Sequence, residues 1–476
     1  MTTQRAFISA DHGLALVYFL QSDVVPTLLE SGVEVVLLTD DGLVSQIAQR
    51  FGRPGLIVEG LRLAQARAYA QHVDPEAQWW LGFLRRVGAS RRINTEATDS
   101  YVAQVAVEEP NRRRLLMPLA WLALAALRRS RRARRALVDV QRRYTPALYA
   151  DLFARYRPGL VVASTGGWRL DRYLLREAAA HAVPTAAAVV GWDNPSSYSL
   201  PGAPLDHITC WSDIQKDELV LGSDWDPARV HIGGIPSYDG YLRRAWALPR
   251  EEYFRLHGLD PARRLLAYAC SFVTFSPNLQ NVEALADLVA DDRLGAPSQL
   301  LVRLHPNHFL DVHLFVNERE RIRALARARP HVHVVEPVRL GSELGYYSGE
   351  DMPEKTSMMA HADVFVTVYS TMVVEAALHD RPIVSLCLDA PGGWNTPRKY
   401  SLPLSRIGDW PTHQRFRQAG AGRVALDAAA LQRAVEAYLA DPALDGAARA
   451  AFVQREVTYT DGSAGRRTGA YLAGLL

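Results

Sequence analysis

Residues 361–390, HADVFVTVYSTMVVEAALHDRPIVSLCLDA, constrain the fold more than any other stretch. The apolar run Val364 to Val368 ends near Ser370-Thr371. A helical pattern continues through Leu378, and Pro382 restarts the chain as the run Ile383 to Leu388. Two short apolar runs around one helix form a buried parallel strand–helix–strand unit. Ser370 and Thr371 stand where the strand ends and the helix begins, and the unpaired N–H groups of a helix start attract an anion. One turn on, Glu375 faces the same mouth, where a carboxylate can accept hydrogen bonds from two vicinal hydroxyls. Phosphate at the helix start and ribose at the glutamate describe a nucleotide diphosphate. The alternative is that Ser370 is an ordinary helix cap and Glu375 an exposed helix residue.

The same alternation runs through the chain. Strand patterns at Ala6–Ala10, Glu34–Thr39, Leu56–Val58, Leu160–Ser164, Thr185–Val190 and His207–Cys210 are separated by helical patterns, among them one running from Gly13 to about Ser31. The stretch from about 61 to 156 is rich in Ala and Arg and reads as a helical insertion. After a charged connector at about 237–263, a second series opens with Leu265–Ala269, Leu300–Leu304 and His333–Val335. This predicts two doubly wound Rossmann-like domains, 1–240 and 241–457, with ligand sites at the strand C-terminal ends and an active site in the cleft between them. A length of 476 residues and an apolar fraction of 48% suffice for two cores.

A formal charge of +3 gives no whole-molecule nucleic-acid footprint. Cys210, Cys270 and Cys387 lie inside apolar runs, with neither CxxC nor Cys/His spacing, so they read as buried thiols in a reducing compartment. The N-terminus enters a strand pattern without the charged lead and apolar core of a signal peptide, and a cytoplasmic location is expected. Nothing reaches the ~18 apolar residues of a membrane span. Met117 to Leu127 is apolar, however, and is followed by Arg128, Arg129, Arg131, Arg132, Arg134 and Arg135, with Arg112, Arg113 and Arg114 upstream. Such a helix lies in the headgroup plane of an anionic membrane, lines a groove for an anionic acceptor, or packs on the core with a solvated basic end.

Several loops carry chemistry. Asp11-His12-Gly13 follows the first strand. His12 can deprotonate an acceptor hydroxyl while Asp11 holds its other nitrogen, or the pair is an N-cap and a surface histidine. Asp193, in Gly191-Trp192-Asp193-Asn194-Pro195, is a second acid/base candidate or part of a structural turn. In the second series, Pro306 fixes the turn after a strand and holds His305, whose N–H can meet a phosphate or base carbonyl. Arg303 is a phosphate partner or a surface charge, and Ser271 and Thr274 lie in a loop suited to a diphosphate. GxxxxGK[ST] and GxGxxG are both absent. Asp224-Trp225-Asp226 has the form of a metal-holding DxD but sits after a helix and before Pro227, where it reads as a turn. A metal-independent reaction with no cofactor follows.

Val302-Arg303-Leu304-His305-Pro306, Ala362 to Thr371 and Arg381-Pro382-Ile383 resemble the C-terminal half of GT-B-fold transferases that build surface polysaccharides. These are the CDP-glycerol glycerophosphotransferases, the capsule and Kdo-type transferases, and the related UDP-N-acetylglucosamine 2-epimerases. Gly191 to Asn194, Trp211-Ser212 and Gly233-Gly234-Ile235-Pro236 resemble the end of their first domain, so the likeness spans about 155–470. It implies a GT-B α/β fold and a C-terminal helix, within 458–476, that crosses back to the first domain. The donor would be bound by Ser271, Thr274, Arg303, His305, Ser370, Thr371 and Glu375, and His12, Asp11 or Asp193 would serve in catalysis. Asp193 stands where the glycerophosphotransferases have a catalytic histidine, and Val368 where they have an acidic residue. Those departures favour transfer of a sugar from a nucleotide-sugar donor to a glycan or lipid-linked acceptor, at the inner membrane face if the arginines meet lipid. A UDP-sugar 2-epimerase, a CDP-glycerol-type glycerophosphotransferase and a non-catalytic scaffold of a polysaccharide assembly complex remain as alternatives.

Overall fold

The computed structural model describes residues 4–93, 98, 99, 101, 102, 105, 111–197, 200–271, 278–338, 351–368, 370–388 and 408–476. They form two compact units: residues up to 239 together with 457–476, and the described part of 240–456.

The first unit is built on a parallel sheet of β1 (Arg5–Ala10), β2 (Glu34–Thr39), β3 (Leu56–Gly60), β4 (Leu160–Ala163), β5 (Thr185–Ala188), β6 (His207–Cys210) and β7 (Val230–Ile232). Its strand order is β3-β2-β1-β4-β5-β6-β7. Phe7 pairs with Val36 on one side and Val161 on the other, so β1 lies in the interior of the sheet. Phe7, Ile8, Val35 to Leu38 and Leu160 to Ala163 are sealed from solvent, as the unbroken apolar runs require of a sheet covered on both faces.

The second unit repeats the design with β8 (Arg264–Ala269), β9 (Ser298–Arg303), β10 (Val332–Val335), β11 (Val364–Thr367), β12 (Ile383–Leu386) and β13 (Arg423–Ala425), ordered β10-β9-β8-β11-β12-β13 and parallel throughout. In both sheets the chain winds outward one way, returns to the middle and winds out the other way. The reversal falls between β1 and β4 in one unit and between β8 and β11 in the other. At such a point the loops leaving adjacent strands diverge and leave a crevice.

One expectation needs correction, and two short strands were not read from the sequence. The single helix expected up to Ser31 is two, Gly13–Leu20 and Val24–Glu30. Pro26 has no N–H to offer the carbonyl of Ser22, and the Ser22 hydroxyl turns back to the Tyr18 carbonyl. Strand β13, three residues long, carried too little apolar pattern to be read, and β7 was not separated from the loop after it. The insertion is helical over Leu63–His72, Pro75–Val87, Asn111–Arg129 and Arg131–Val140, and has its own small core of Phe83, Val87, Met117, Leu124 and Leu127.

The helix Ala464–Ala473 packs within the first unit against Val24–Glu30. Ser463 makes no side-chain cap. The buried Asp239 carboxylate takes that place, accepting the amides of Ala464 (3.0 Å) and Gly465 (2.7 Å). The helix is seated closely: a Cβ at Gly465 would fall 2.6 Å from the amide nitrogen of Asp23, and one at Gly469 2.9 Å from the Val24 carbonyl oxygen. Asp239→Ala leaves two buried amides without their acceptor and should cost on the order of 1–3 kcal/mol. Thermal melts of the full chain check this, and an unchanged melting temperature rejects it.

Candidate active site

The crevice between β1 and β4 collects a polar cluster that the flanking apolar strands do not need. Asp11 leaves β1 and is buried. Its Oδ1 meets His12 Nδ1 at 2.7 Å and accepts the Ser164 hydroxyl at 2.9 Å, while its Oδ2 accepts Arg169 Nε at 2.9 Å. Burial alone would raise the Asp11 pKa. The hydrogen bond and charge of His12, the Arg169 guanidinium and Ser164 outweigh it and bring the group down to about 2. An ionised Asp11 fixes the His12 proton on Nδ1 and leaves Nε2 as the basic nitrogen. The surface-histidine reading is therefore replaced by a histidine only 12% exposed at its side chain and held by a buried carboxylate.

Ser164, Arg169 and Asp171 were not anticipated as part of this group. Asp171 is buried and accepts the Thr165 hydroxyl at 2.6 Å. Burial and the nearby negative charge of Asp11 push its carboxyl up from 3.8 to about 7, so two neighbouring carboxyls are driven apart in acidity. Asp193, also raised by burial, has Ser196 and Ser197 bonding to its backbone carbonyl at the short helix Asn194–Ser197; no described contact joins it to His12.

In the second unit the described strand-end residues at the crevice are Cys270 and Ser271 after β8, and Val368, Ser370 and Thr371 after β11. The Ser271 amide is held by Asn278 Oδ1 at 2.9 Å. Thr274 lies outside the described residues. The Ser370 hydroxyl accepts the Met372 amide at 3.2 Å and so serves the helix Met372–Leu378, as the capping alternative holds, while Thr371 makes no side-chain cap. Glu375 is not an exposed helix residue. It is buried, and Oε2 is met by Tyr241 Oη at 2.6 Å and Lys355 Nζ at 2.5 Å. A ribose would be met by Oε1 or would displace one of these donors. Arg303 is not a surface charge either, because it is buried in an ion pair with Asp351. His305 accepts the Asn307 amide on Nδ1 at 3.1 Å, which places the ring proton on Nε2. Burial, His308, Arg303 and Lys355 lower its pKa to about 3, so the ring is a neutral donor across the physiological range.

The arginine cluster divides. Arg134 is buried and grips Asp224 through Nε at 2.6 Å and Nη2 at 2.8 Å, and Arg128 bonds Thr98 Oγ1 at 3.0 Å. Both act inward, against the expectation that they meet membrane or acceptor. Arg129, Arg131, Arg132 and Arg135 are exposed, although Arg131 also reaches the Asp224 carbonyl. Asp224 closes a helix with φ 61° and Asp226 accepts the Ala228 amide at 3.0 Å, so the DxD-like triplet is a turn.

No protein-family profile matches the chain, and no curated protein matches it. Solved structures do match in shape. The S. aureus MnaA–UDP structure has a TM-score of 0.53 at 9% identity, covering 97% of this chain and 94% of that one. UDP-GlcNAc 2-epimerase from Neisseria meningitidis, bound to UDP-GlcNAc, has a TM-score of 0.51 at 10% identity, over 97% of each chain. A glycosyltransferase from Rickettsia africae has a TM-score of 0.50 at 9% identity, over 99% and 98%. At these identities the likeness establishes the fold, which is GT-B with two Rossmann-like domains.

The raised Asp171 carboxyl has a consequence for stability. Between pH values of about 4 and 7 the folded chain holds a proton that the unfolded chain releases, so this group's contribution is greatest at the acid end and is lost as pH rises through about 7. Asp171→Asn should therefore melt progressively higher relative to the parent as pH goes from about 5 to about 8, by roughly 2–4 °C for each kcal/mol removed. A melting difference independent of pH rejects this assignment.

Proposed function

We propose that the protein is a metal-independent glycosyltransferase that moves a sugar from a nucleotide-sugar donor to a glycan or lipid-linked acceptor in surface polysaccharide synthesis. The observation that carries this reading is the Asp11–His12 pair at the β1–β4 crevice. His12 Nε2 takes the proton of an acceptor hydroxyl as that oxygen bonds to the anomeric carbon. The bond from that carbon to the diphosphate oxygen breaks, and the nucleoside diphosphate leaves with the electron pair. Such a displacement inverts the anomeric centre. Asp11 orients the ring and stabilises the imidazolium that forms. In the second unit His305 Nε2–H, Ser271, Ser370 and Glu375 would receive the donor.

His12→Ala should lower kcat by about 10²–10⁴ while leaving donor binding intact. His305→Ala should abolish donor binding. A thermal-shift screen against UDP, CMP, CDP, GDP, dTDP and their sugar conjugates identifies the nucleotide, because a ligand at about 100 times its Kd adds ~2.7 kcal/mol. Silence toward all of them rejects the transferase reading. Epimerisation is the second reading, favoured by structural neighbours solved with UDP and UDP-GlcNAc. Conversion of a UDP-sugar in the absence of any acceptor would decide for it.

The helix Asn111–Arg129 suggests where the acceptor is met. At about 100° per residue, its buried side chains Met117, Ala120 and Leu124 lie opposite Leu115, Leu119 and Leu122. Those three leucines are 80%, 63% and 69% exposed. Arg112 and Arg129 flank this outer face, both exposed. No helix among the described residues is long and apolar enough to cross a membrane. An apolar stripe ended by cations fits an anionic bilayer surface, with the leucines in the acyl boundary and the guanidinium groups at the headgroups. Full-length protein should float with phosphatidylglycerol vesicles and much less with phosphatidylcholine, and Leu119→Ser with Leu122→Ser should reduce flotation. Flotation unaltered by the double variant would sink the assignment.

A further inference from the structure

The second unit holds a buried carboxylate outside the groups assigned to the donor. Glu318, on the helix His313–Ala328, is only 2% exposed. Its Oε2 meets His308 Nε2 at 2.9 Å and accepts Asn278 Nδ2 at 3.3 Å, while its Oε1 accepts the Leu279 amide at 3.3 Å. A carboxylate at that depth needs donors around it. These three come from two segments, the start of the helix Asn278–Ala290 that follows β8 and the turn that follows β9.

Each segment goes on to hold a strand end. His308 Nδ1 accepts the His305 amide at 3.0 Å. An accepting Nδ1 puts the ring proton on Nε2, where it is donated to Glu318, so both contacts select one tautomer. Asn278 Oδ1 accepts the Ser271 amide at 2.9 Å, and its Nδ2 also reaches the Ser271 carbonyl at 3.3 Å. Ala269 and Arg303 are paired across β8 and β9, so Ser271 and His305 each stand two residues beyond that pair on neighbouring strands. One carboxylate therefore ties both backbone amides to a common point, each through a single side chain. The same helix grips the β9 turn again: Arg319 Nη1 donates to the His308 carbonyl at 3.1 Å, and its guanidinium lies 5.2 Å from the centre of the Phe309 ring. Capping the Asn278–Ala290 helix would require only the bond to the Leu279 amide; the bond to His308 serves the other loop.

We infer that Glu318 is a positioning residue of the nucleotide site, setting Ser271 and His305 at a fixed separation so that both meet the donor at once. The donor role rests on the transfer reading; the attachment of both loops to Glu318 does not. Donors on two loops act together only while both stay in place, and a shift of ~1 Å far from the ligand can cost about 10²-fold.

Glu318→Gln keeps the volume but offers one oxygen and an NH2 where three donors converge, so at least one donor faces an N–H. Isothermal titration of the full chain with UDP, CDP, GDP, dTDP and CMP, together with amide hydrogen exchange, tests the inference. The nucleotide that binds the parent should bind Glu318→Gln about tenfold or more weakly. Exchange should rise at Ser271 and His305 while the strands β8 and β9 keep their protection, which a merely destabilised fold would not do. His308→Leu cuts one arm, so exchange should rise at His305 and not at Ser271, again with weaker nucleotide binding. Affinity within about twofold of the parent in both variants overturns the inference. Exchange that rises throughout the unit, or loss of folding in both variants, makes Glu318 a structural group and overturns it likewise. A parent that binds none of the nucleotides removes the transfer reading and the donor role together, whereas a parent that binds beside unaltered variants removes the role of Glu318 alone.

Discussion

The reversal of strand order in each sheet is the constraint on which the rest depends. Parallel strands need helical crossovers, and a chain that winds outward from β1 through β2 to β3 can use the other side of β1 only by returning to the middle as β4. Asp11 and Ser164 are 153 residues apart in sequence yet share a hydrogen bond, because β1 and β4 are neighbours in register. The same reversal between β8 and β11 brings Ser271 and Ser370 to adjacent strand ends, although 99 residues separate their numbers.

Burial then gives that crevice its chemistry. An isolated carboxylate at the depth of Asp11 would take up a proton, and His12, Arg169 and Ser164 prevent it. The cost falls on the neighbour. With Asp11 ionised, Asp171 is held toward its neutral form, with Thr165 donating to it. One charged and one largely neutral carboxyl coexist where two charges would repel each other, and the arrangement keeps the His12 ring in a single tautomer. A comparable economy operates at Glu375, where Lys355 supplies the compensating charge.

The strands were legible because residues buried on two faces must be apolar over their whole length. Eleven of the thirteen strands match runs such as Glu34–Thr39 that are apolar over nearly their whole length, whereas Arg423–Ala425 lies below the length at which periodicity speaks. Asp11 and His12 were legible as a pair because they adjoin in sequence at a strand end. Arg169 and Asp171 were not, since their place depends on β4 lying beside β1, and sheet order is a tertiary fact that no local pattern carries. The cap of the C-terminal helix was not legible for the same reason: Ser463 has cap chemistry at the helix start, but Asp239, 225 residues before Ala464, is already buried against it.

The arginines show the limit most clearly. Of 54 basic residues only Lys216, Lys355 and Lys399 are lysine, so the chain relies on guanidinium groups throughout. A guanidinium can donate to several carbonyls at once and is less strongly hydrated than an ammonium, so it can be buried where lysine cannot. Arg134 and Arg176 do this, and Arg449, fully buried, reaches the carbonyls of Leu444 and Pro442 as well as Asp380. A run of arginines in sequence therefore does not mark a cationic surface. The residues at 128–135 alternate between inward grips on Thr98 and Asp224 and outward charges at 129, 132 and 135, with the helical period deciding which is which. Arg134 has Asp224 to cancel its charge, and Arg449 has Asp380.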